Sequence, residues 1–131
     1  MAELNISVVT PEATALEQSA TFVVVPLYDG ELGIAVGHSP MIGRLGYGEL
    51  RVKTEGSTLR YYVDGGFVQV ADNQVTVLTN RAIEADALDA ASAAADLEAA
   101  RRRPSNSPEL VEIRDREVAR ARAQLRMASR S

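Results

Sequence analysis

The sequence is poor in reactive side chains, with no cysteine, no tryptophan, one histidine and one lysine among 131 residues. Without cysteine, disulfides, thiolate metal sites and cysteine nucleophiles are excluded, and the chain suits a reducing compartment. No apolar run approaches the ~18 residues that suggest a membrane-spanning helix. The N-terminus also lacks the basic and apolar regions of a signal peptide. We therefore expect no direct membrane insertion, so that any membrane association comes through a partner.

The charge of the chain is acidic overall but basic at its end. A net charge of −4 argues against a general nucleic-acid binder, and we expect no nucleic-acid partner. After Glu117 no acid follows, whereas Arg120, Arg122, Arg126 and Arg130 do. These arginines either complement a helix dipole or form an electrostatic latch onto an acidic partner segment.

The first two-thirds of the chain has the pattern of β-strands. Leu4, Ile6 and Val8 alternate with other residues, and residues 21–25 form a run rich in β-branched side chains. Similar short runs recur at intervals typical of a sandwich or barrel, separated by turn residues. No helical stretch lies between them, which argues against a parallel sheet. The pattern predicts an antiparallel β-sandwich over residues 1–84.

The last third, residues 85–131, predicts an antiparallel two-helix hairpin. Alanine, leucine, glutamate and arginine dominate there, and all are good helix formers. A break at residues 104–108 separates helices of about 86–102 and 109–128. The first helix has few large apolar side chains, and burial of a leucine contributes roughly 1.5–3 kcal/mol. We therefore expect the hairpin to be weakly held and able to open or detach.

A glycine-punctuated segment, residues 30–41, has only two side chains that can carry charge, Glu31 and His38. Its composition favours docking of a partner over catalysis. His38 is either a packed surface histidine or a partner contact, because no other metal ligands cluster near it. Glu31 is either solvated or faces a polar partner surface.

Four sequence segments together resemble the epsilon subunit of the F-type ATP synthase. They are Gly30-Glu31-Leu32-Gly33-Ile34, Gly37-His38-Ser39-Pro40, Gly65-Gly66-Phe67 and Asn73-Gln74-Val75-Thr76-Val77-Leu78. Their order and spacing, the chain length and the predicted sandwich-plus-hairpin layout agree with that family over nearly the whole chain. No single motif is specific, but their combination is.

The resemblance implies a noncatalytic rotor component that couples ion translocation to ATP synthesis and inhibits ATP hydrolysis. The sandwich would bind the gamma subunit of the central stalk and stand on the c-subunit ring, with the loop holding Glu31, Gly33 and His38 facing that ring. The hairpin would extend toward the catalytic alpha and beta subunits. Its basic residues would meet an acidic stretch of the beta subunit, and the candidates are Arg116, Arg120, Arg122 and Arg126. The implied location is the cytoplasmic face of a bacterial membrane, as a peripheral subunit.

The chain departs from the family at a motif through which some members bind ATP. Leu88 and Asp89 match a Leu-Asp-x-x-Arg-Ala pattern, but Ser92 stands where arginine is expected. The missing guanidinium would have paired with phosphate. We therefore expect weak or no ATP binding by the isolated chain, and no other cofactor or metal.

Two further functions are compatible with the sequence. The chain could be an unrelated β-sandwich adaptor whose helices form an oligomerisation arm. It could also be a small hydrolase that uses Glu31 and His38 as an acid–base pair. Co-purification with a gamma subunit would favour the rotor component over both.

Overall fold

The structure, a computed structural model, describes residues 3–129, which divide into two compact units after Glu84. The first unit is all strand and the second is helical. The strands are β1 (Leu4–Val9), β2 (Thr14–Ala20), β3 (Phe22–Leu27), β4 (Gly30–Ala35), β5 (Met41–Lys53), β6 (Thr58–Ala71), β7 (Gln74–Leu78) and β8 (Ala82–Glu84). A 3₁₀ turn (Ala85–Ala87) precedes the helices α1 (Ala90–Arg101) and α2 (Pro108–Ala128). This confirms the predicted fold class.

The strand unit is a sheet of order β2-β1-β7-β6-β5-β3-β4, with β8 paired to β6. One apolar core collects buried side chains from all strands except β8, and Leu4, Val23, Leu50 and Val77 in it are fully buried. Alternate residues of a strand point to opposite faces, so each strand turns one set of aliphatic side chains inward. The core therefore lies inside a folded-over sheet, as in a sandwich.

One strand pair differs from the predicted antiparallel arrangement, because β1 and β7 run parallel. The other pairs are antiparallel. A parallel pair needs a long connection, which is usually a helix. Here five strands, β2 to β6, make that connection instead. The lack of helices between strands therefore did not exclude parallel pairing.

Gly65 and Gly66 lie inside strand β6 and do not separate two strands. Both have positive φ, at 73° and 102°. Before them the core residues of β6 are Tyr61 and Val63, and after them Val68 and Val70. The inward-facing set thus changes from odd to even numbers, while the pairing register with β5 is the same on both sides of the glycines, so the two strands turn together without an inserted residue. At the glycine pair, the continuous strand β6 changes which of its alternate side chains face the core.

The helical unit has defined caps and a small buried surface. Asp89 caps α1 by accepting a hydrogen bond from Ala91 N, and Ser107 caps α2 by accepting one from Leu110 N. The two helices contact each other, and Arg103 forms an ion pair with Glu117 of α2. Their buried residues are Ala93, Leu97, Ala100, Ala121, Ala123 and Met127. Only two of these have large apolar side chains, which agrees with the alanine-rich composition.

Candidate functional site

Glu31 and Gly33 lie on strand β4 and not in a loop. Arg51 on β5 reaches across β3 to Glu31, with 3.1 Å between its Nη1 and Glu31 Oε2. The carboxylate is still 55% exposed, so it is both paired and available at the surface. Gly33 is covered by the Phe22 ring, because a Cβ on Gly33 would lie 2.6 Å from Phe22 Cζ.

His38 lies in the connection between β4 and β5 and is half-buried. Its Nδ1 lies 2.8 Å from the carbonyl oxygen of Ser39. Because a carbonyl oxygen can only accept, Nδ1 is protonated and its N–H donates this hydrogen bond. Its backbone N–H donates to the carbonyl of Ala35. The ring is therefore oriented by its own segment.

The structure does not bring Glu31 and His38 together. Ala35 lies four positions after Glu31 on β4, which at ~3.3 Å per residue is about 13 Å, and His38 follows beyond that end. The Glu31 carboxylate instead bonds Arg51. This geometry provides no acid–base pair, which removes the basis of the hydrolase hypothesis. Within residues 3–129, no three acidic, histidine or cysteine side chains cluster in a way that could hold a metal ion.

A chain of four charges crosses the outer side of β4, β5 and β6. Glu49 accepts hydrogen bonds from Arg51 at 3.0 Å and from Arg60 at 2.6 Å, while Arg51 also bonds Glu31. Burial of the Glu49 side chain, which is 6% exposed, raises the pKa of its carboxyl. The two arginine hydrogen bonds outweigh burial, so the pKa of Glu49 is lowered overall. The bonds to Glu31 and then Glu49 raise the pKa of Arg51.

A row of large apolar side chains is exposed on the outer face of the strand unit. Its members, the outer apolar row, are Tyr28, Ile42, Phe67 and Leu78, which are 68%, 73%, 55% and 48% exposed. Phe67 lies opposite Leu78 on β7 and opposite Arg44 on β5. The Arg44 guanidinium in turn lies 5.5 Å from the centre of the Tyr28 ring.

The outer apolar row borders a shallow groove that Pro11, Phe67, Leu78 and Asn80 help to line. Exposed apolar side chains are normal singly, but several of them grouped on one face are typical of an interaction site. This row could not be predicted from the sequence. Ile42 and Arg44 stand two residues apart, as do Phe67 and Gln69, so each pair shares one face of its strand, but the register that places Phe67 beside Leu78 is not visible in the sequence.

Residues of the altered ATP motif form the start of helix α1. Leu88 and Asp89 precede the helix, which therefore begins later than the predicted residue 86. Asp89 accepts hydrogen bonds from Ser92 Oγ at 2.9 Å and from Ala91 N at 3.2 Å. The Ser92 bond is the main reason that the pKa of Asp89 is lowered. Ser92 thus has a local capping partner.

The four arginines predicted to contact the beta subunit all lie on α2, but not on one face. At 3.6 residues per turn, Arg116 and Arg120 share one side, and Arg122 and Arg126 share another about 120° away. Arg116, Arg122 and Arg126 are exposed, whereas Arg120 is half-buried and has interactions within the protein. The exposed pair Arg122 and Arg126 is the simpler candidate for a partner contact.

Comparisons with known proteins identify the family. The profile of the ATP synthase delta/epsilon chain β-sandwich domain matches residues 3–85. An ATP synthase epsilon chain of Rhodopirellula baltica is 55% identical over 91% of this chain and 93% of its own length. One from Symbiobacterium thermophilum is 40% identical over 98% of this chain and 89% of its own length.

Solved structures support the same fold. A chain in the Euglena gracilis mitochondrial ATP synthase structure, which comprises OSCP, F1 and c-ring, superposes with a TM-score of 0.86 at 22% identity. The match covers 100% of this chain and 83% of that one. Neither helix between residues 3 and 129 is long and apolar enough to cross a membrane. From the profile match and these identities we conclude that the chain belongs to the ATP synthase epsilon chain family.

Proposed function

We propose that the chain is a noncatalytic subunit of the ATP synthase central stalk, which couples ion translocation to ATP synthesis. Its family membership supports this proposal, and the outer apolar row carries it, because exposed apolar side chains grouped on one face are typical of a docking surface. The partner would be the gamma subunit. The c-subunit ring would meet the end of the sandwich that holds His38. The chain would lie at the cytoplasmic face of a bacterial membrane, held there by the complex.

The docking role of the outer apolar row predicts a strong effect of charge at its centre. We expect Phe67→Asp to lower capture of a co-expressed gamma subunit at least about tenfold, because a carboxylate would be desolvated in an apolar contact. Thr14→Asp on the exposed edge strand β2 is the matched control and should leave capture unchanged. Pull-down of tagged chain with gamma measures both. Equal capture by Phe67→Asp and wild type would exclude this face.

We further propose that the hairpin restrains ATP hydrolysis when α2 meets an acidic segment of the beta subunit. Exposed ion pairs typically contribute about 0.2–1 kcal/mol each, so Arg122 and Arg126 together can shift a balanced equilibrium roughly 2- to 30-fold. Replacing both by alanine should raise the ATPase rate of the assembled head by a factor in that range. Arg101→Ala with Arg102→Ala removes equal charge near the end of α1 and should not. Unchanged rates in both double variants would exclude the latch.

ATP is not a proposed ligand of the isolated chain. Ser92 offers a hydroxyl where the family pattern has a guanidinium, and that hydroxyl already bonds Asp89. The Ser92 hydroxyl is therefore used to support the Asp89 cap of α1, at the position where the family pattern has the arginine that would contact the nucleotide.

A further inference from the structure

The tight turn between β6 and β7 contains two residues in a left-handed conformation. Asp72 has φ of 50° and Asn73 has φ of 61°, and Ala71 pairs with Gln74 across them. Such a two-residue turn fits the twist of a β-hairpin, and aspartate and asparagine tolerate this conformation. The turn therefore has a fixed geometry that holds the Asn73 side chain in a defined direction.

Asn73 joins this turn to two distant parts of the chain. Its carbonyl oxygen accepts a hydrogen bond from the N–H of Asn5 at 2.9 Å, which connects it to β1. Its side-chain Oδ1 accepts one from the N–H of Gly37 at 2.7 Å. Gly37 precedes His38 and has φ of 86°, a conformation that glycine adopts without strain.

The segment that Asn73 contacts, residues 36–40, is short and mostly exposed. His38 forms hydrogen bonds with Ala35, the last residue of β4, and with Ser39, so these contacts shape the segment but do not anchor it to the β6–β7 turn. Gly37 has no neighbouring atom within 4 Å of where a Cβ would stand. Packing at Gly37 is therefore loose, and the hydrogen bond that the Gly37 N–H donates to Asn73 Oδ1 restrains it.

From this geometry we infer that Asn73 is a positioning residue that holds the His38 segment against the β6–β7 turn. The surface at this end of the sandwich is then a composite of residues 36–40 and the Asp72–Asn73 turn. The inference rests on the proposed function for its consequence, because in that function this end meets the c-subunit ring. The positioning role of Asn73 itself depends only on its hydrogen bond with the Gly37 N–H.

Two glycine variants distinguish the effect of losing the Asn73 side-chain amide from the effect of changing the turn that contains it. Asn73→Gly removes the acceptor but keeps a residue that favours positive φ, and Asp72→Gly makes the same change one residue earlier. Amide hydrogen exchange of Gly37 in the full chain is the first measurement. We expect Asn73→Gly to increase the exchange rate of the Gly37 amide about fivefold or more. Asp72→Gly should leave this rate unchanged, and Asn73→Asp, which keeps an acceptor oxygen, should have the wild-type rate.

The second measurement is ATP-driven proton pumping per ATP hydrolysed in inverted vesicles that carry the assembled complex. We expect Asn73→Gly to lower this ratio, and Asp72→Gly and Asn73→Asp to match wild type. Unchanged Gly37 exchange in Asn73→Gly would overturn the positioning role. Fast exchange with a normal pumping ratio would overturn the composite surface and leave the proposed function standing. If wild-type chain does not assemble with gamma, the proposed function and with it the composite surface fail, and the exchange result alone decides the positioning role.

Discussion

Replacing Gly66 by alanine is expected to destabilise the strand unit by about 3–5 kcal/mol, as the sum of backbone strain and overpacking. An added Cβ would clash with the carbonyl oxygen of Leu78, a backbone atom of β7 that cannot shift as easily as the end of a flexible side chain. Gly66 also has φ of 102°, which side chains disfavour. β6 and β7 can approach as they do only because this position lacks a side chain.

Urea unfolding followed by tyrosine fluorescence measures this loss, since all four tyrosines lie between residues 28 and 62 and report on the strand unit. Gly56→Ala is the matched control, because nothing lies within 4 Å of its added Cβ and its φ is not in the left-handed region. We expect that control to change the free energy of unfolding by less than about 0.5 kcal/mol. A Gly66→Ala protein as stable as Gly56→Ala would mean that the close approach of β6 and β7 is wrong.

Replacing Glu49 by glutamine is expected to cost about 2 kcal/mol at neutral pH. Removing one partner of a fully buried ion pair costs about 3–5 kcal/mol, but Arg51 and Arg60 are 27% and 26% exposed, so water recovers part of it. Glu31→Gln removes an exposed partner of the same Arg51 and should cost about 0–1 kcal/mol.

The Glu49 contribution should depend on pH in a defined direction. The pKa of Glu49 is lowered in the folded protein, so its stabilisation is complete above the unfolded pKa of about 4.3 and is lost as pH falls through the folded value. Unfolding free energies of wild type and Glu49→Gln should therefore differ at pH 7 and converge in the acid range below about pH 4. A difference that persists unchanged to low pH would contradict the ionic origin of the effect.

The regular strands could be predicted from the sequence because their inward faces are aliphatic. β1 and β3 carry such residues and were recognised from them. Strand β2 was not recognised, because most of its residues are exposed and only Ala20 is buried. Its strand conformation depends on pairing with β1, a contact between segments that periodicity does not record.

The sites were harder to predict than the elements. Position in the sequence suggested that Glu31 and His38 share a loop, but Gly30 to Ala35 form a strand that separates them. Asn73 and Glu49 were not singled out, because their roles come from partners 36 and 11 residues away in the chain, Gly37 and Arg60. The contact of Asn73 with Gly37 depends on register, which the sequence leaves undetermined. The ring-facing and beta-subunit roles of the named residues stay predictions.

The start of α1 could not be predicted accurately from the sequence either. Composition favours helix from residue 86, but Asp89 adopts an extended conformation and caps the helix from outside. A 3₁₀ turn at residues 85–87 fills the interval. Aspartate favours both a first-turn position and an N-cap, so propensity alone does not choose between them.

We infer that the strand unit alone forms the platform that docks on the central stalk. The most direct test is pull-down of the gamma subunit by a chain that ends at Glu84, compared with the full chain. We predict that the shortened chain folds and captures gamma as well as the full chain does, because the core and the outer apolar row lie upstream of residue 85. A folded shortened chain that fails to capture gamma, or one that does not fold, would contradict the account.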